Sequence, residues 1–322
     1  MIRVIVLGGN GQFGCCAVEQ LRIVGISPLV AARGGRYEIA VDADDPPSIR
    51  AAFSAGDLII DAAGPFQKRS LALLDAAIEV GFHVIDINDS LSYAEQVLSL
   101  QRRIEGAGIR VLSSASSVSA VAAAMVRRSG LTLPKRVTGF LAPASRHTAK
   151  RGSALSLIRS LGCPIRAWRG GRLQTLPGWR ESRAFPMPDP VGRICGRLFE
   201  SADALWLPLA WPSLLDVEMF VDANTPGVNA LLGLGARFSW IRRLLERHAD
   251  LGARIARAFG SQAGGLGYEI EDANGKVARC AVLSGKTGHI TAVAPAVLAA
   301  RAIVTGRLTA TGLIRPEGHV EP

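Results

Sequence analysis

The apolar run at residues 2–7 passes directly into Gly9-Asn10-Gly11-Gln12-Phe13-Gly14, with Gly8 just before it. No other stretch constrains the fold as much. Glycines at this spacing arise by chance in any Gly-rich chain. Here they stand where a buried strand gives way to a helix, the place a dinucleotide requires them. The first glycine permits a tight turn, and the second lets the backbone approach a pyrophosphate. The third lets the helix pack closely on the strand, so that its first amides and its dipole face the anion. The next helix carries Phe13, Ala17, Val18 and Leu21 on one face, as a buried crossover helix does. Gly8, Gly9, Asn10, Gly11, Gln12, Phe13 and Gly14 are therefore the candidate cofactor cradle.

The strand and helix patterns around this junction give the fold class. Apolar strands are expected at 2–7, 28–32, 38–41, 58–62, 83–87 and 109–112. Helices are expected at 14–24, 46–53, 70–80, 91–106 and 119–129. Asp44 and Asp45 before Pro46-Pro47 mark a helix start, and Gly81 and Gly108 mark helix stops. Val4-Ile5-Val6-Leu7 and Leu58-Ile59-Ile60 are apolar at every position, which means both faces of the sheet are covered. Residues 1–130 read as a doubly wound parallel Rossmann domain, completed by 286–322, where an Ala/Val-rich helix at 292–305 returns to it.

Residues 131–285 read as a second, α+β domain for substrate binding and dimerisation, with a mostly antiparallel sheet. Its expected strands are 135–141, a pair within 166–176 turning at Gly170-Gly171, 214–221, and 268–271 with 277–283 turning at Asn274-Gly275. Helices are expected at 154–161 and, one or two of them, within 230–259.

Charge and cysteine usage exclude several classes. The net charge is +10, but only five of the 37 basic residues are lysines, and the arginines are scattered without a dense basic run carrying aromatics. That argues against nucleic acid as the partner. Five cysteines without a C-x-x-C pair argue for reduced thiols, no structural metal site and a cytoplasmic protein. The chain opens on a strand, leaving no room for a signal peptide. The apolar stretches at 205–215 and 292–303 are too short or too Pro-interrupted to span a bilayer. Trp206, Leu207 and Trp211 are expected in a core or dimer interface, with a peripheral membrane contact as the alternative.

The end of the second strand bears on the cofactor. An acidic residue there would bond both ribose hydroxyls and repel a 2′-phosphate, whereas this chain reads Ala31-Ala32-Arg33-Gly34-Gly35-Arg36. Arg33 and Arg36 favour NADP, since a guanidinium forks onto phosphate oxygens. Asp42 is placed either to accept from the adenine amino group or to cap the next helix. Ala63, Gly64, Pro65 and Phe66 follow the fourth strand at the topological switch point. Asp86-Ile87-Asn88-Asp89-Ser90 and Ser113–Ser117 follow the fifth and sixth. Three polar loops thus fall on one sheet edge.

These residues together resemble the saccharopine dehydrogenase-like NADP-binding oxidoreductases. The resemblance rests on G-G-x-G-x-x-G, Arg33 after strand two, A-G-P-F-Q at 63–67, H-V-I-D at 83–86 and S-A-S-S-V at 114–118. The closing segment with Gly306, Gly312 and Pro316 also fits. It implies an NADP-binding Rossmann domain, a substrate domain whose sheet often makes a homodimer, and hydride transfer to or from a small substrate such as an imine or secondary amine. Relatives commonly follow A-S-S-V with Pro-Gly, where this chain has Ser119-Ala120. That departure leaves substrate type open, and with it the alternative of a non-catalytic NADP-binding redox sensor or membrane-peripheral scaffold.

A proton-handling group is the remaining requirement. His147 and Lys150, in Arg146-His147-Thr148-Ala149-Lys150-Arg151, are candidates, with Arg146 or Arg151 able to clamp an acidic substrate. Asp89 and Ser116 are candidates by their strand-end positions. His83, within a strand, reads as structural and His248 as exposed. Tyr93 is followed four residues later by Val97 and not lysine, and no G-x-S-x-G, H-E-x-x-H or Walker motif occurs.

Overall fold

The computed structural model describes residues 2–149, 151–286 and 288–319. The chain divides into two compact units, Met1–Ala124 with His289–Pro322, and Met125–Gly288.

The first unit starts with β1 (Val4–Leu7), α1 (Gln12–Ile23), β2 (Leu29–Ala32), β3 (Ile39–Ala40), α2 (Pro46–Ala52) and β4 (Leu58–Asp61). It continues with α3 (Ala72–Val80), β5 (His83–Asp86), α4 (Leu91–Ser99), α5 (Gln101–Gly106) and β6 (Arg110–Leu112). All four residues of β1 and of β4 are buried. That is why these strands read as unbroken apolar runs with no alternation. Asp45 is the N-cap of α2, its carboxylate accepting from the Ser48 amide at 3.1 Å, with Pro46 at the first helical position. Gly81 closes α3 in the left-handed conformation.

Two expectations change here. The face α1 buries is Gly14, Ala17, Val18 and Leu21, and Phe13 is exposed. Positions 14, 17, 18 and 21 follow i, i+3, i+4, i+7, and Phe13 falls one step off that stripe. The helix expected across 91–106 breaks at Leu100, where the Ser99 hydroxyl donates to the Gln96 carbonyl and competes with the helical ladder.

Helix α6 (Ser119–Arg128) follows, and the division between the units falls inside it. The second unit then contains β7 (Pro134–Ala142), α7 (Ser145–Thr148), α8 (Arg151–Ser160), β8 (Pro164–Arg169), β9 (Arg172–Pro177), β10 (Ser182–Pro186) and β11 (Arg193–Phe199). After these come α9 (Asp203–Ala210), β12 (Asp216–Val221), α10 (Val228–Arg237), α11 (Ser239–Arg247), α12 (Ala249–Phe259), β13 (Gly264–Asp272) and β14 (Val277–Ser284). Its sheet runs β10-β11-β12-β7-β13-β14, with β8–β9 attached to β12; every pairing is antiparallel except β12 with β7.

The expected one or two helices at 230–259 are three, parted at Phe238 and His248. Strands β10 and β11 and helix α9 were not legible. Only Phe185 of β10 is buried, and the Pro-rich link between β10 and β11 reads as loop. Trp206 and Leu207 of α9 are fully buried, so they belong to the core and offer no membrane contact.

The chain then supplies α13 (Ile290–Val304) and β15 (Gly312–Ile314) to the first unit. Helix α13 packs against α1, β4 and β5, and β15 pairs in parallel with β6. The completed parallel sheet has the order β15-β6-β5-β4-β1-β2-β3. The order in which the chain adds strands reverses between β1 and β4, the switch point beside which such sheets take ligands. Among the described residues no helix is long and apolar enough to cross a membrane, and no group of side chains could hold a metal ion.

Candidate functional site

The glycine-rich turn sits on the carboxyl edge of the first unit, against the loop that leaves β4. Gly8 has φ +77°, and a Cβ on it would lie 2.8 Å from the Ala63 Cα. A Cβ on Gly14 would lie 2.1 Å from the Gly8 carbonyl oxygen. The helix can start this close to the turn only because residue 14 has no side chain. Gly11 is different: its Cβ would meet only the Gly8 carbonyl, at 3.1 Å. Its lack of a side chain therefore serves the space in front of the turn more than the packing behind it. The Gly11 amide donates to Gly8 at 2.8 Å and the Cys15 amide to Gly11 at 2.8 Å. The amides of Gln12, Phe13 and Gly14 open the helix and have no intrahelical acceptor. A twelve-residue helix with this start offers amides and a dipole to a phosphate.

Asn10 ties the turn to the next loop, its Nδ2 donating to the Gly34 carbonyl at 2.6 Å. That loop carries Arg33, whose side chain is 76% exposed and whose guanidinium lies 3.6 Å from Asp42, and Arg36, also exposed. No carboxylate follows β2 directly. Asp42 does not cap α2. Asp45 holds that position, and Asp42 instead accepts from the Asp44 amide at 3.1 Å and pairs with Arg33. The side chain paired with Arg33 is thus the one that the sequence offered either to the adenine or to the helix cap.

Behind the Ala62–Phe66 loop lies an ion cluster that sequence reasoning missed. Arg69 is buried, and one of its terminal nitrogens is 3.0 Å from the Asp61 carboxylate at the end of β4. The other terminal nitrogen donates to the Ala63 carbonyl at 2.7 Å, and Nε lies 3.3 Å from Asp44. A weaker bond at 3.3 Å reaches the Ala43 carbonyl. One guanidinium thereby fixes the loops after β3 and β4 to the entry of α3. Burial alone would lower the pKa of Arg69, but Asp61 and the other acids raise it, and the charge is kept. Burial raises Asp61, with Arg69 opposing. Ala63, Gly64, Pro65 and Phe66 all belong to the loop so held, and Phe66 packs on Tyr93 with ring centroids 5.2 Å apart.

The loops after β4, β5 and β6 are bonded into one rim. Gln67 donates to the Asp89 carboxylate at 3.3 Å. Asn88, fully buried, donates to the Ser114 hydroxyl at 3.2 Å and accepts from the Ser90 amide at 2.7 Å. Asp86, ending β5, accepts the Ser114 amide at 2.7 Å and the Asn88 amide at 3.1 Å through one oxygen. Burial pushes the Asp86 carboxyl up to about 7, against the opposing effect of these bonds. Asp89 is exposed, yet desolvation by the chain around its carboxyl raises its pKa too. The Ser116 hydroxyl is buried and has no hydrogen-bond partner among the described residues. Ser119 and Ala120, in place of the relatives' Pro-Gly, are the fully buried first residues of α6.

The folded Asp86 binds a proton more tightly than the unfolded chain does. Stability from this group is therefore present below pH 4 and is lost as pH rises toward 7, by about 1.4 kcal/mol per pH unit at the steepest. Asp86→Asn keeps the acceptor oxygen and removes the titration. We expect the difference in unfolding free energy between pH 5 and pH 8, measured with denaturant, to shrink in the variant. An unchanged difference would show that Asp86 does not titrate in this range.

The second unit carries the other candidates. His147 lies in the short helix α7, and its Nε2 is buried with no hydrogen-bond partner among the described residues. Lys150 lies outside the described residues. Arg146 donates to the Ala258 carbonyl at 3.0 Å, which occupies it with the end of α12. His83 accepts from the Arg110 amide at 3.1 Å as a structural residue, and His248 is exposed.

Residues 29–112, about a quarter of the chain, match the family described as "Saccharopine dehydrogenase NADP binding domain". The match runs from β2 through β6 and begins beyond the glycine turn. No curated protein matches the chain significantly. Among solved structures, a mutant meso-DAPDH from Clostridium tetani is 12% identical, with 98% of this chain and 94% of that one covered and a TM-score of 0.46. An engineered D-amino acid dehydrogenase bound to NADP+ is 14% identical over 99% of this chain and 94% of its own, with a TM-score of 0.44. GenD2 from gentamicin A biosynthesis, in complex with NAD, is 13% identical over 99% and 90%, also at 0.44. The first unit thus has a parallel Rossmann-like sheet, and its stretch from β2 to β6 is similar to the NADP-binding domain of that family.

Proposed function

We propose that the chain is an NADP-dependent oxidoreductase that moves a hydride to or from a small substrate, with an imine or secondary amine as the candidate class. The observation that carries the cofactor assignment is the loop after β2. It offers exposed Arg33 and Arg36 and no directly following carboxylate, beside a glycine turn whose front is open. The residues fit the group. The amides of Gln12, Phe13 and Gly14 would hold the pyrophosphate, and Gly11 leaves the backbone room to approach it. Arg33 would leave Asp42 for the 2′-phosphate, a doubly charged acceptor that outcompetes one carboxylate 3.6 Å away. When bound, NADP supplies the hydride chemistry at its nicotinamide.

The chain's own part is to position and to handle a proton. Ala63–Phe66, clamped by Arg69, would form the floor below the nicotinamide. Asp89 and the orphan Ser116 hydroxyl stand on the rim as groups for substrate or proton, and His147 and Lys150 are the second unit's candidates. NADPH consumption across a panel of amine–carbonyl pairs tests the hydride-transfer reading. We expect turnover with at least one pair, falling at least about tenfold in Asp89→Asn if that carboxyl handles the proton. Saturable cofactor binding without turnover on any pair would reduce the protein to a cofactor-binding one.

A further inference from the structure

The helices α10, α11 and α12 carry an apolar surface turned outward. Among the described residues, eight of the seventeen large hydrophobic side chains left exposed lie within residues 228–259. Helix α12 shows the inversion best. It buries Ala249 and Ala253, while Leu251, Ile255 and Phe259, at i, i+4 and i+8, are 55%, 42% and 71% exposed. The small residues face α7 and α8, and the large apolar face is left outside. Helix α11 presents Trp240 and Leu244 together with Arg243 and Arg247 on its outer side. Helix α10 ends in Arg237-Phe238, the guanidinium 6.0 Å above the ring.

Charge decides what covers this face. Residues 228–259 hold six arginines against Glu246 and Asp250. Arg242 and Arg257 are spent inside the unit, donating to the Leu161 and Ala149 carbonyls at 2.8 Å, and Glu246 is paired with Arg159 at 2.7 Å. The outward charges are Arg237, Arg243, Arg247 and Arg254 against the exposed Asp250, a net positive set interleaved with the tryptophan, phenylalanines and leucines. A two-fold pair of copies joined through this face would set like charges against each other. An anionic lipid surface answers both features: acyl chains take the apolar side chains, and headgroups take the guanidiniums on their flexible stems.

We propose that α10–α12 are an interfacial docking surface that lays the second unit on an anionic membrane without crossing it. The proposal is independent of the cofactor reading.

The test is flotation of the full-length protein with vesicles of phosphatidylcholine alone or mixed with phosphatidylglycerol. The expected result is binding to the mixed vesicles only, weakened by salt. Leu251→Ser/Ile255→Ser/Phe259→Ser should abolish it, and each of Arg243→Gln and Arg247→Gln should weaken partitioning about fivefold. All substitutions lie on the outer side, and an unchanged melting curve and nucleotide titration confirm the folded state of each variant. If the serine variant unfolds, the two arginine variants carry the test. Three results would overturn the proposal: no binding to either vesicle, equal binding to both, or a dimer in light scattering that the serine substitutions dissolve.

Discussion

Arg69→Met is expected to lower the unfolding free energy by about 3–5 kcal/mol, the cost of leaving a buried partner charge uncompensated. The Asp61 carboxylate is completely enclosed, and Arg69 is the only cation within ion-pair distance of it among the described residues. The same guanidinium holds the Ala63 carbonyl and Asp44, so its loss frees the loop after β4 as well. Nucleotide affinity should fall with stability. Arg69→Lys should recover only part of either, since an ammonium is a point charge and does not reach two loops and the end of β4 in fixed directions. Asp61→Asn in the methionine background should restore most of the stability, because asparagine removes the stranded charge and still accepts from the Ala63 amide, which lies 2.9 Å from the Asp61 carboxylate. Urea unfolding monitored by circular dichroism reads all three. A methionine variant as stable as the parent would show that the buried pair contributes nothing to the fold.

The second large effect separates two glycines of one motif. Gly14→Ala puts a Cβ 2.1 Å from the Gly8 oxygen and 2.7 Å from the Gly9 Cα. These are backbone atoms that cannot rotate away. The cost is expected at about 3 kcal/mol, the upper end for overpacking, because the helix must lift off the turn. Gly11→Ala meets one oxygen at 3.1 Å, and the residue has φ −74°, where alanine is at ease. It should melt close to the parent while losing nucleotide affinity by at least about tenfold, since the new methyl stands where the pyrophosphate would approach. Paired melting curves and nucleotide titrations distinguish the two. If Gly11→Ala binds nucleotide as tightly as the parent, the pyrophosphate does not lie on this turn.

How far the sequence could be read followed from how local each signal is. The glycine turn, Asp45 as the cap of α2 and Gly81 as its neighbour helix's stop are set by residues a few positions apart, and their spacing alone revealed them. The parallel sheet was legible because β1 and β4 are apolar at every position. The Arg69 cluster was not legible, since it joins residues 43, 44, 61 and 63 through loops whose meeting depends on the finished sheet. Asp86 reads as a strand end, but its raised pKa comes from burial in the finished fold, which outweighs the lowering effect of Ser113 and Ser114, 27 and 28 positions away. The outward face of α12 was hidden for another reason. Periodicity shows that a helix has an apolar side, not which way that side points, and here alanines fill the contact usually made by leucines.

The most direct test of the account is a fluorescence titration of the protein and of Arg33→Ala with NADPH and with NADH. The parent is expected to bind NADPH markedly more tightly than NADH. The variant should lose about 10–100-fold of the NADPH affinity, the range of one charge-assisted contact, while NADH binding barely moves. Equal affinity of the parent for both nucleotides, or an Arg33→Ala variant that still prefers NADPH by the parent's margin, would contradict it.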